Sequence, residues 1–128
     1  MRLTVHHSQH VLPIWQNSLD KLLARHQLTE ADAKALGNWH IATFNDRIVG
    51  LSITKENQIR YFSVRDITRR RGIGRYLLAE TIRSLIAEQH HLIELDRNAV
   101  ASDELESLDA FLLQAGFAKQ ENKWSLTL

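Results

Sequence analysis

Four arginines crowd into eight residues of this 128-residue chain, in the run Thr68-Arg69-Arg70-Arg71-Gly72-Ile73-Gly74-Arg75. Guanidinium groups beside two closely spaced glycines are suited to phosphate oxygens. Arginine supplies charge-assisted, often bidentate donors, and glycine lets the backbone turn sharply and approach a ligand closely. A helix starting at Ile73 would add unpaired N–H groups and the positive end of its dipole. Cations at that end of a helix are misplaced unless an anion compensates, so the run reads as a pyrophosphate cradle. Neither of the common phosphate motifs fits it. After Gly72 and Gly74 no third glycine follows at dinucleotide-binding spacing, and no Gly-Lys-Ser/Thr follows as in a P-loop.

Few other residues offer chemistry. Tyr61, Glu94 and Asp96 could move a proton, although for Glu94 and Asp96 plain alternation on a partly exposed strand is the more direct account. The absence of cysteine removes disulfides, thiolate metal sites and a cysteine nucleophile. His6 and His7 would point to opposite faces of a strand, which argues against a metal site with His10; His90 and His91 sit at a turn.

The elements that position the arginine run come from periodicity. Leu3 and Val5 suggest a short strand, and residues 11–25 a helix whose start Pro13 fixes near residue 12. Thr29-Glu30-Ala31-Asp32 is a capped helix start, and Gly37 its stop. Trp39 to Phe44 and Ile48 to Thr54 form a hairpin about Asn45-Asp46, followed by a strand from Ile59 to Val64. After the arginines a helix runs from Ile73 to Ala87, with Ile73, Leu77, Leu78, Ile82, Leu85 and Ile86 on its buried side. Leu92 to Asp96 is a strand, Ser102 or Asp103 caps a helix to Ala115, and 117–120 with 123–128 form a last hairpin. The order β-α-α-β-β-β-α-β-α-β-β predicts an α/β fold, a mixed sheet with helices on its faces, as a single domain over residues 1–128. Trp15, Trp39 and Trp124 are expected in its core.

Hydrophobic residues make up 44% of the chain and charged residues 24%, an ordinary globular balance. The formal net charge of +1 provides no global basic field for nucleic acid, so the arginines are a local concentration suited to a small anion. No apolar run approaches the ~20 residues that span a bilayer, and residues 1–7 lack the apolar stretch of a signal peptide. A cytoplasmic location is the expectation.

Arg69-Arg70-Arg71-Gly72-Ile73-Gly74, between strand and helix, resembles the acetyl-CoA motif of the Gcn5-related N-acetyltransferase (GNAT) superfamily. Ala115-Gly116-Phe117 resembles that superfamily's C-terminal signature. Residues 64–78, Phe44-Asn45-Asp46-Arg47 and Ala110-Phe111 are more closely similar to the PanM/PanZ family; the first third of the chain matches less well. The resemblance implies a ligand, acetyl-CoA or CoA, and a protein partner, the aspartate decarboxylase zymogen PanD. Members promote the self-cleavage of PanD to its pyruvoyl form and regulate it, within pantothenate and CoA biosynthesis. It also implies that Phe62, Ser63 and Val64 offer backbone groups to the pantetheine arm. Thr68, Arg69, Arg70, Arg71, Gly72, Ile73, Gly74 and Arg75 would hold the phosphates. Asn45, Arg47, Arg69 and Asp103 are implied partner contacts, with turn formation by Asn45 and helix capping by Asp103 as the plain alternatives.

Acetyl transfer to an amine needs a base and an acid. Many GNAT enzymes carry a tyrosine as acid five residues before the Gly-Phe phenylalanine, where this chain has Leu112. The strand from Ile59 to Val64 also lacks a carboxylate. The cofactor motif is present while the catalytic pattern is depleted, so no catalytic residue is assigned. The expected function is a CoA-dependent activator; the alternative is an active N-acetyltransferase acting on a small-molecule or protein amine.

Overall fold

Thr29 shows how local sequence starts an element: its hydroxyl accepts a hydrogen bond from the Asp32 backbone N–H at 3.1 Å and opens a helix. Asn45 and Asp46 show how one ends, since both adopt positive φ (54° and 60°), as a tight hairpin turn of the I′ type requires. The computed structural model describes residues 3–65, 72–96 and 105–128. The elements are β1 (Thr4–His6), α1 (Gln16–Ala24), α2 (Glu30–Leu36), β2 (Asn38–Phe44), β3 (Arg47–Lys55), β4 (Gln58–Val64), α3 (Ile73–Ala87), β5 (Leu92–Asp96), α4 (Leu105–Gln114), β6 (Ala118–Lys119) and β7 (Lys123–Thr127). Their order is the one the periodicity predicts.

They build one seven-stranded sheet in the order β1-β2-β3-β4-β5-β7-β6, antiparallel except where β4 meets β5. Each face has its own core. Trp39, Ile41, Leu51, Ile53 and Tyr61 pack with Leu19 and Leu22 of α1, while Ile59, Phe62, Val64, Ile93, Leu95 and Trp124 pack with Leu77 and Leu85 of α3. Helix α3 crosses β3 where glycine replaces a side chain. A Cβ on Gly50 would lie 3.0 Å from Leu77 Cδ2 and 3.3 Å from the Ser63 carbonyl oxygen. The three tryptophans are buried as expected, and two anchor through their ring nitrogens, Trp39 to the Ala33 carbonyl and Trp124 to the Asp109 carboxylate.

Two expectations need correction. Pro13 does not start an α-helix near residue 12; Pro13–Trp15 form a 3₁₀ turn closed by Trp15 N–H to the Leu12 carbonyl, and α1 begins only at Gln16. Ile86 is 49% exposed rather than buried. At about 100° per residue it lies one step beyond Leu85 around α3, outside the stripe of Ile73, Leu77, Thr81 and Leu85. Thr81 is buried instead, its hydroxyl donating to the Leu77 carbonyl at 2.7 Å.

The histidines tie the chain's start to the sheet. His6 Nε2 meets the Thr43 hydroxyl at 3.0 Å, and His7 Nδ1 lies 2.7 Å from His40 Nδ1. His40 is buried on β2, with Nε2 2.9 Å from the Thr54 hydroxyl. Burial, and secondarily the nearness of His7, lower its pKa from 6.5 to about 4, so it is neutral at physiological pH. No cluster of three or more metal-ligating side chains exists among the described residues.

Candidate functional site

The sheet opens where β4 and β5 should run together. Their ladder holds only Gln58↔Glu94 and Ile59↔Leu95, although β4 continues to Val64. The cause is visible on the other side of β4. Its pairing with β3 passes from Ile53↔Tyr61 to Thr54↔Ile59, so Arg60 is an extra residue in the strand. Such a bulge bends its strand and increases its twist, and this one sits where the contact with β5 ends. Beyond it, the β5-facing edge of Tyr61, Phe62, Ser63 and Val64 has no ladder partner among the described residues. The Ser63 hydroxyl is buried and without a hydrogen-bond partner among them. An extended ligand bearing amides can pair with such an edge, as a peptide adds to a sheet.

At the open end of this gap lies the start of α3. Gly72 takes φ 72°, ψ 18°, the left-handed region where a side chain is strained, and no side chain among the described residues caps the helix. Among the described residues the first hydrogen bond runs from Tyr76 N–H to the Gly72 carbonyl, and no partner there takes the N–H groups of Ile73, Gly74 and Arg75 in the first turn. The first turn carries no acidic residue, so nothing in it competes with an incoming anion. Gly74 packs close to β4, its missing Cβ 3.6 Å from Val64 Cγ2. Between α3 and α4 runs a cleft of about 300 Å³, its walls formed by Arg75, Leu78 and Ile82 on one side and Phe111 and Gln114 on the other. Motif reasoning did not find this cleft. Its only signal was that α3 and α4 share one face of the sheet, which a linear pattern does not reveal.

Of the sequence-derived candidates, the structure brings Phe62, Ser63, Val64, Gly72, Ile73, Gly74 and Arg75 to this one end of the sheet. Asn45 and Arg47 join them: β3 runs antiparallel to β4 with Gly50↔Val64, so the β2–β3 turn lies at the open end too. Thr68, Arg69, Arg70, Arg71 and Asp103 lie outside the described residues. Arg25, which the motifs did not single out, caps the C-terminus of α1 and donates to the Val64 carbonyl at 3.5 Å. Arg25 thus reaches the same end of β4 from α1.

The proton-moving candidates are dispersed. Leu112 is fully buried in the α3–α4 core. Tyr61 is buried on the opposite face of β4 from Phe62, its ring 4.7 Å from that of His26. Glu94 hydrogen-bonds the Lys123 ammonium and, with Asp96, stands at the closed end of the gap.

Comparison with known proteins agrees with this geometry. Residues 6–125 match the family described as an acetyltransferase (GNAT) domain, PanZ. The PanD regulatory factor of Salmonella typhimurium is 28% identical over 129 residues, covering 97% of this chain and 98% of that protein. The solution structure of an N-acetyl transferase, YhhK from E. coli, bound to coenzyme A superimposes with a TM-score of 0.78 at 22% identity over 100% of both chains. Ard1 from Thermoplasma volcanium gives 0.77 at 15% identity, covering 100% of this chain and 99% of that one. The fold is therefore that of the GNAT acetyltransferases.

Proposed function

This chain belongs to the PanZ family of GNAT acetyltransferase domains, and from that premise we propose that it is a CoA-dependent regulator of the aspartate decarboxylase PanD. The carrying observation is the gap that opens past Ile59 and ends at the start of α3, where glycine holds the N-cap. Acetyl-CoA or CoA would lay its pantetheine arm along Phe62, Ser63 and Val64, whose β5-facing edge has no ladder partner among the described residues and where the Ser63 hydroxyl also lacks one. Its pyrophosphate would meet the first-turn N–H groups at Gly72, Ile73, Gly74 and Arg75, with Thr68, Arg69, Arg70 and Arg71 completing the cradle. A cofactor so held would supply a thioester or thiol to the gap.

With the ligand in place, the open end of the sheet becomes a composite surface of protein and cofactor. Asn45 and Arg47, together with Arg69 and Asp103, would contact PanD there. Promotion of zymogen self-cleavage follows if the cofactor-completed surface favours the cleavage-competent state of PanD. A ligand that completes a docking surface couples the two binding events by one shared free energy. Catalysis by the chain itself is disfavoured by Leu112, whose aliphatic side chain stands fully buried where many relatives by fold carry a proton donor.

The test is to mix the protein with uncleaved PanD zymogen, with and without acetyl-CoA, and follow chain cleavage by electrophoresis. Acceleration only when both are present is the expected result. Steady release of CoA thiol with a simple amine, abolished in Glu94→Gln, would instead establish the N-acetyltransferase reading.

A further inference from the structure

A second cavity, of about 290 Å³, lies at the closed end of the β4–β5 gap, on the sheet face turned away from α3 and α4. Ile93 and Leu95 face the α3–α4 core, so Glu94 and Asp96, alternating with them, emerge on the other face. There they meet Lys123, which lies across the β5–β7 ladder from Asp96 and hydrogen-bonds Glu94. The Arg60 bulge supplies the fourth charge. Arg60 is exposed and forms no ion pair among the described residues. The amides of Gln58 and Asn122 close the rim.

We propose that this cleft binds a free amino acid as its zwitterion. Among the described residues two cations and two carboxylates line one cavity, so both signs are presented in equal number. A simple anion would meet Glu94 and Asp96, and a simple cation would meet Arg60 and Lys123. A molecule carrying an ammonium and a carboxylate satisfies both pairs, its ammonium toward Glu94 and Asp96 and its carboxylate on the planar fork of Arg60. The volume sits at the small end of ligand cavities, which suits a metabolite of this size. The Glu94–Lys123 pair is partly exposed, with Lys123 44% accessible, so loosening it to admit an ammonium costs little.

The experiment is a titration of the ¹⁵N-labelled protein, without CoA, with glycine, L-alanine and L-glutamate, each compared with its N-acetyl and its amide form. Saturable shifts confined to Gln58, Arg60, Glu94, Asp96 and Lys123 are expected from free amino acids, with capped forms at least about tenfold weaker, the equivalent of one lost charge-assisted contact. Arg60→Ala and Glu94→Gln should each weaken binding by a similar factor while the remaining spectrum stays dispersed. Equal binding by capped and free forms, or no saturable shift at any of these residues, overturns the proposal. Because CoA is absent, either result is independent of the cofactor reading.

Discussion

His40 should make the fold sensitive to mild acid, and the size of the effect follows from its surroundings. The imidazole is 2% exposed, with Thr54 on one nitrogen and His7 on the other. Its folded pKa is about 4, against an unfolded value near 6.5. A base whose pKa falls on folding binds fewer protons in the native state. Stability is therefore full above about pH 6.5, declines as pH drops toward 4, and levels off below. Moving from roughly pH 7.5 to 4.5 should cost about 2 to 3 kcal/mol, since each pKa unit is worth about 1.4 kcal/mol. With a urea m-value near ~1.5 kcal/mol/M, the midpoint should fall by somewhat under ~2 M. Carboxylates also titrate toward the acid end, so the measurement is a difference: urea unfolding at both pH values for the natural chain and for His40→Gln, whose amide can still reach Thr54. The variant should lose most of the pH-dependent part whatever its absolute stability. His7→Ala should retain most of it, because burial is the larger cause. An unchanged midpoint shift in His40→Gln would refute the reasoning.

Three further outcomes follow from contacts already described. Gly50→Ala places a Cβ against Leu77 Cδ2 and the Ser63 carbonyl oxygen, and should lower stability by about 1 to 3 kcal/mol in denaturant unfolding. Gly72→Ala adds a Cβ that meets no described atom within 4 Å, so its cost there is backbone strain; about 1 to 2 kcal/mol is expected, with a further loss of CoA affinity by calorimetry if the turn shapes the pyrophosphate site. Leu112→Tyr overfills a fully buried position, and thermal melting should show about 1 to 3 kcal/mol of destabilisation without any acetyl transfer from acetyl-CoA to simple amines.

How much could be read from residues alone depended on whether the deciding interaction was local. Thr29, Asn45-Asp46 and Gly37 act through their own or neighbouring backbone, and the turns and helix stops they announce are present. The α3 stripe was read too widely because Ile86 is apolar; periodicity assigned it a side, but the ridge of the sheet beneath α3 decides what is covered. The 3₁₀ turn at Pro13 escaped because proline at a helix start suits both helix types, and only the packing of Trp15 and the Ser18 hydroxyl bond to the Trp15 carbonyl distinguishes them.

The site divides along the same line. The arginine–glycine run is a local pattern, and its described part, Gly72 to Arg75, lies at the open end of the sheet. What creates room beside it is the bulge at Arg60, a register mismatch between two strands, and no residue type there announces it: arginine in a strand reads simply as an exposed position. Yet that single extra residue has two consequences. It turns the edge of β4 away from β5 so that Phe62, Ser63 and Val64 have no ladder to β5 among the described residues, and it brings Arg60 to the cavity lined by Glu94 and Asp96. The opening for a cofactor and the proposed zwitterion cleft therefore share one cause. Deleting Arg60, so that β4 pairs regularly, should close the gap and abolish CoA binding and amino-acid binding together, whereas Arg60→Ala, which keeps the backbone bulge, should weaken only the second. Loss of CoA binding in Arg60→Ala, measured by calorimetry on a folded variant, would show that the side chain rather than the bulge holds the gap open.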